Sequence, residues 1–183
     1  MKKIANISKW SLRGAIVLAL IYDIYIGHFS GITGGTAVLL LTFVIDFVNN
    51  KKRFLSDKLI TIYCMFCFFA LVLGTMLLFY INISWWDVLM HVFSGIILAF
   101  TGNEILCAFQ KEPINPFVQF LFVVGFACIG GVFWEIYEFF VDMLLGLDTQ
   151  MVVSTGINDT MEDLIADVIG GILVGIFYIK QKK

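Results

Sequence analysis

Apolar residues dominate this chain in long unbroken runs, and its polar residues gather in short breaks between them. The runs cover about 12–29, 32–48, 59–81, 86–109, 117–145 and 160–179. The breaks are a Gly/Ser/Thr cluster at 30–36, "NNKKRFLSDK", "NISWW", "QKEPINP" and the Gly/Asp/Thr-rich stretch 146–159. The runs do not alternate with the period of two expected of a membrane strand, and each is close to the ~20 residues a helix needs to cross about 30 Å of hydrocarbon. Only helices and closed barrels satisfy their own backbone hydrogen bonds in lipid. The pattern therefore predicts an all-α polytopic membrane protein with six transmembrane helices. They form a single domain over residues 1–183. Pro113 and Pro116 fall in a break, so no span is expected to kink at proline.

Composition narrows the class. Of the 183 residues, 60% are hydrophobic and 14% charged, against roughly half and a quarter in soluble domains. Six spans use up this length and leave no room for a soluble domain. Cys64, Cys67, Cys107 and Cys128 all lie inside apolar runs. The C-x-x-C at 64–67 therefore reads as packing residues, since a redox pair needs an exposed thiolate. The basic head and first apolar run resemble a signal peptide, but no small-x-small cleavage site follows, so a retained first helix is expected. Gly171 and Gly175 are read as intramolecular packing positions.

Charge placement sets orientation. The 12 Lys and Arg residues sit at the N-terminus, around 51–58, at Lys111 and at the C-terminus. With six helices all these segments share one side, and the loops near 30, 83 and 150 have none. The positive-inside rule then places both termini in the cytoplasm. Trp10, Trp85 and Trp86 fall at span ends, where aromatic belts lie. Asp46 and Glu104 fall near cytoplasmic helix ends, within reach of water or lysine.

The remaining acids are harder to place. Glu135, Glu138 and Asp142 interrupt "GVFWEIYEFFVDMLLG", in the outer half of the fifth helix. Residues three or four apart share a helix face. Gly131, Glu135, Glu138 and Asp142 thus form one polar stripe, Asp87, His91, Ser94 and Gly95 a second, and Asp159, Asp163, Asp167 and Gly171 a third. Asp23 and His28 occupy the outer half of the first helix. An Asp at a span centre costs about 2.5–3.5 kcal/mol to insert, while a Leu or Phe returns only about 0.3–0.6. Glu135 lies about ten residues, or about 15 Å, from the outer end of its helix. Such acids must be protonated, paired or bound to a cation, and the outer side offers no Lys or Arg. Two readings stay open: shared protons bonding helix to helix, or a metal held by Asp87, His91, Glu135, Glu138, Asp163 and Asp167, with Asp142, Asp23 and Ser94 behind them. Carboxylates and one imidazole suit Mg, Mn, Zn or Fe, as in di-metal sites of helical bundles.

"WWDVLMHVFSGIILAFTGNEIL", "EIYEFF" and "DTMEDLIADVIGGILVG" together resemble the YjdF-like family of small bacterial inner-membrane proteins, a resemblance that implies a place in the bacterial cytoplasmic (inner) membrane. More distantly they are similar to the VanZ-like family, associated with teicoplanin resistance. That family's pattern of D-x-x-x-H, a later glutamate helix and D-x-x-x-N-x-x-x-G is similar to Asp87/His91, Glu135 and Asp163/Asp167/Gly171. Asp167 stands where the pattern has asparagine, and Glu138 where it tends to have glutamine. The resemblance runs from about Trp85 to Gly175. The greater acidity of this chain favours a cation and weighs against transfer of the resistance role.

Three functional classes follow. The first is a metal-dependent membrane hydrolase or transferase acting on a lipid-linked or cell-envelope substrate, with Glu162 or Asp159 as general base. The second is a proton- or cation-coupled transporter, against which stand the lack of an inverted repeat and the few acids in the cytoplasmic half. The third is a non-catalytic envelope-resistance protein binding lipid or a partner within the membrane. A homo-oligomer is compatible with all three, and no nucleic-acid signal exists.

Overall fold

The computed structural model describes residues 1–51 and 54–181. Lys52, Arg53, Lys182 and Lys183, which enter the orientation argument, lie outside the described residues. The regular structure of the described residues is helical, without strands. α1 (Lys2–Ile26) includes the basic head and ends at Gly27, whose left-handed φ of 74° closes the helix. α2 (Phe29–Lys51) follows directly. α3 (Asp57–Phe68) starts where the Ser56 hydroxyl accepts a bond from the Leu59 amide and Asp57 meets the helix dipole.

The run predicted as one span over 59–81 does not stay one helix. α3 passes into a π-helical stretch at Phe69–Met76, where the Leu77 amide reaches back five residues to the Val72 carbonyl at 3.0 Å. Leu78 then takes a left-handed φ of 57° and a separate turn, α4 (Phe79–Asn82), follows. Gly74 shows why: the Tyr80 ring presses on the backbone where a Cβ would stand, so the chain has folded back on itself.

α5 (Trp86–Phe109) and α6 (Pro116–Leu145) match the predicted runs closely. Pro116, assigned above to a break, opens α6 at its first turn, where its missing N–H is harmless. The Asn115 side chain caps the Phe117 amide at 2.9 Å. A single turn, α7 (Val152–Thr155), precedes α8 (Asn158–Gln181). Among the described residues five helices are long and apolar enough to cross a membrane, beginning at Lys2, Gly31, Asp57, Trp86 and Pro116. α8 has 24 residues and carries Asp159, Glu162, Asp163 and Asp167 in its first half; it is not among those five.

The helices sort into two compact units, Met1–Trp86 and Asp87–Lys183. In the first, Ala5, Leu12, Ile16, Val38, Ile60 and Cys64 form the core. Arg13 is buried there. Its guanidinium donates to Thr42 Oγ1 at 3.0 Å, to the Thr42 carbonyl at 2.9 Å and to Asp46 Oδ2 at 2.6 Å. Lys9 Nζ takes the other Asp46 oxygen at 2.5 Å. Asp46 thus clamps α1 to α2 through two cations of the chain's own basic head.

In the second unit α5, α6 and α8 meet through glycine. A Cβ on Gly95 would overlap the Asp167 backbone, and one on Gly170 the Val92 carbonyl. A Cβ on Gly171 would lie 3.0 Å from Ala127 Cβ, so this glycine serves packing within the chain. Below these contacts Ala99, Val123, Ala127 and Val174 form a dry core. Outside, α6 exposes Phe133, Ile136, Phe139, Phe140 and Met143, while His91, Glu135, Asp163 and Asp167 are buried. A polar interior under an apolar exterior is the inverse of a soluble protein and belongs in lipid.

Candidate metal centre

The acidic cluster lies at one end of the second unit, formed by the first turns of α5 and α8 and the last turns of α6. The unit's described cations, Lys111 and Lys180, are at the opposite ends of the helices. His91 sits at the centre of the cluster. Its Nε2 lies 3.8 Å from Asp87 Oδ1 and 3.7 Å from Asp163 Oδ2. These gaps are longer than hydrogen bonds, yet shorter than the ~4.0–4.4 Å between opposed ligands at ~2.0–2.2 Å from one ion. One ligand atom from each of Asp87, His91 and Asp163 falls within 4.8 Å of the others.

The other imidazole nitrogen is already occupied. His91 Nδ1 is 3.1 Å from Asp167 Oδ2, and Ser94 Oγ donates to Asp167 Oδ1 while also reaching the His91 carbonyl at 2.9 Å. A carboxylate at Nδ1 selects the tautomer with its proton there, leaving the Nε2 lone pair toward Asp87 and Asp163. Asp167, 1% exposed, is wedged between Gly95 and Gly131, each of which would collide with it if it carried a Cβ. The glycines are therefore part of the site, because they let two helices close on this carboxylate.

α6 contributes three acids in three different settings. Glu135 is 6% exposed. Its Oε2 accepts from Gln150 Nε2 at 3.0 Å, and the same amide donates to the Glu135 carbonyl at 3.2 Å. The other oxygen, Oε1, is buried and has no hydrogen-bond partner among the described residues. Glu138 is half-buried and accepts from Trp134 Nε1 at 3.0 Å. Asp142 is spent on the chain itself. It accepts from the Thr149 amide at 2.7 Å, the Thr149 hydroxyl at 2.6 Å and the Gln150 amide at 3.0 Å. That bonding folds the loop after α6 back along the helix and delivers Gln150 to Glu135. Neither Thr149 nor Gln150 stood out in the sequence, because loop residues follow no helical period.

The remaining candidates are spread wider. Asp159 is half-buried in the first turn of α8, within electrostatic reach of Asp87, His91 and Glu135. Glu162 is exposed, off the face shared by Asp159, Asp163 and Asp167. Asp23 belongs to the first unit, buried and 3.1 Å from His28 Nδ1.

A protein family described as "Predicted membrane protein (DUF2238)" matches residues 8–183. A Thermotoga maritima protein described as "Uncharacterized protein" is 33% identical over 102 residues, which is 54% of this chain and 50% of that relative. The chain thus spans about half the length of the curated relative it matches. No solved structure matches.

Proposed function

The chain belongs to this family of predicted membrane proteins, and from that premise we propose that it binds a divalent cation through Asp87, His91 and Asp163. The cation serves a lipid-linked or cell-envelope substrate at the outer face of the bacterial inner membrane. The observation that carries this reading is the convergence of those three ligand atoms within 4.8 Å, around an imidazole whose other nitrogen Asp167 holds. Asp167 then orients His91 instead of ligating, the arrangement that fixes tautomer and ring in histidine metal sites. The N/O donor set suits Mg, Mn, Zn or Fe.

Topology completes the proposal. α8 is the sixth span, its acids facing inward, and both termini are cytoplasmic, so the cluster opens to the extracytoplasmic side. An anionic phosphate group approaches this many carboxylates only when a cation offsets their charge. Bound metal supplies that offset and a Lewis acid for phosphate or water. Asp159, beside the cluster, takes the general-base position ahead of the exposed Glu162.

Metal analysis by mass spectrometry on untagged, detergent-purified protein tests the reading. Stoichiometric divalent metal in wild type, lost in Asp87→Ala and Asp163→Ala, supports it. Folded wild type that takes up no Mg, Mn, Zn or Fe overturns it, and leaves the acids as holders of protons or transported ions.

A further inference from the structure

We infer that the first unit carries a groove for an anionic phospholipid, with one acyl chain lying between α1 and α3 and the headgroup phosphate meeting Lys58. This site is independent of the metal reading, since it shares no residue with the acidic cluster. The groove has a volume of about 270 Å³ and is open along one side. Leu12 and Cys64, both buried, make its floor, and Ala15 keeps it deep by offering only a methyl group. Met65, Phe68 and Phe69 wall it and are exposed. Phe68 and Phe69 stand where α3 passes into the π-helical stretch, edge to face with ring centres 6.1 Å apart, and mark its far end.

The polar lining points to a ligand. Ser8 and Ser11 line the groove on α1, and neither hydroxyl has a hydrogen bond among the described residues. A helical Ser or Thr away from water ordinarily returns its hydroxyl to a carbonyl one turn back, as Thr42 and Thr101 do here. Ser8 and Ser11 instead keep donors that the ester carbonyls of a phospholipid accept. The chain belongs to a family of predicted membrane proteins, and α1 and the helix that starts at Asp57 are long and apolar enough to cross a membrane. Lipid is therefore what meets an open groove between them.

Charge selects the lipid. α2 runs back along α1 and α3 returns, so the basic starts of α1 and α3 lie at the same end of the groove. Lys58 is two turns before Met65, on the helix face that walls the groove. Lys9 and Arg13 are committed to Asp46. Lys2, Lys3 and Lys58 are exposed and form no ion pair among the described residues. Against them stands Asp57 at the start of α3, while α1 has no acid in its first turn. Free lysines beside a groove of this kind favour an anionic headgroup over a zwitterionic one.

The experiment is native mass spectrometry of the full-length protein in detergent, with phosphatidylglycerol and phosphatidylcholine of identical acyl chains added in equal amounts. Wild type should retain one phosphatidylglycerol per chain under activation that strips phosphatidylcholine. Ala15→Phe fills the groove and should abolish that retention. Lys58→Gln leaves the groove open and should lower the preference about fivefold, the equivalent of ~1 kcal/mol for one lysine beside an anionic headgroup. Lys58 is exposed, so its variant keeps the proposal falsifiable if Ala15→Phe fails to fold. Equal retention of the two lipids by wild type overturns the proposal, as does a preference unchanged in either folded variant. Protein dimers in place of lipid adducts, lost in Ala15→Phe, would assign the groove to a second copy of the chain and overturn it equally.

Discussion

Replacing Asp167 by asparagine changes one atom and leaves the wedge between Gly95 and Gly131 filled, so it probes charge without opening a cavity. The wild-type carboxylate takes the His91 Nδ1 proton on Oδ2 and the Ser94 hydroxyl on Oδ1. Asparagine keeps one acceptor. The cheaper placement turns its amide NH2 toward Ser94, whose hydroxyl can rotate to accept while still donating to the His91 carbonyl. His91 then keeps its Nδ1 partner and its tautomer, but loses the charge assistance. Hydrogen bonds to charged groups contribute about 1.5–3 kcal/mol and neutral ones about 0.5–1.5, so the loss is about 1–1.5 kcal/mol. At 1.4 kcal/mol per decade this is roughly tenfold in affinity, at the lower edge of the ~10–100-fold typical of such orienting partners. Calorimetric titration of Zn or Mn into the purified apo-protein measures it, with Asp163→Asn as the reference that removes a ligand. Affinity unchanged in Asp167→Asn, or lost as completely as in Asp163→Asn, would refute the orienting role.

Three further outcomes follow from the packing. Gly95→Ala and Gly131→Ala should each lower stability by about 1–3 kcal/mol through overpacking, read as thermal unfolding in detergent. Gly125→Ala is the control, because nothing lies within 4 Å of its Cβ position; equal shifts in all three would contradict the glycine argument. Asp142→Ala strips three bonds from the loop after α6, so that loop should be cleaved faster by added protease; unchanged cleavage would count against the staple. Arg13→Gln leaves Asp46 with Lys9 alone and should destabilise by about 1–3 kcal/mol, less than for a fully buried pair because Asp46 is partly exposed. Metal stoichiometry should not change, and a loss of metal in that variant would point to ligands beyond those named here.

Periodicity and charge reached a good part of this structure. α5 and α6 begin and end within about a residue of the apolar runs that predict them, because long apolar runs bounded by Pro, Gly and charge have few alternatives in lipid. The run over 59–81 misled for the opposite reason: the break at Leu77 and Leu78 is set by Tyr80 packing on Gly74, a contact invisible to hydropathy. Lys9 and Arg13 entered only as topology signals, since nothing in their spacing reveals that Asp46, a whole helix away, lies between them. In the site, the spacing of Asp163 and Asp167 put both on one face. Four residues also advance about 6 Å along the axis, which is why one meets Nε2 of His91 and the other Nδ1. Sequence spacing carries the shared face, and only the packed helices show the division of roles.

The apolar core of Ala99, Val123, Ala127 and Val174 divides the interior of the second unit into two polar layers. On one side of it along α5, α6 and α8 lie the buried ionisable groups His91, Glu135, Asp163 and Asp167. On the other side the buried polar side chains are the neutral Thr101 and Gln119. Every buried ionisable group of this unit among the described residues therefore sits on a single level of the bundle, insulated from the neutral level by aliphatic packing.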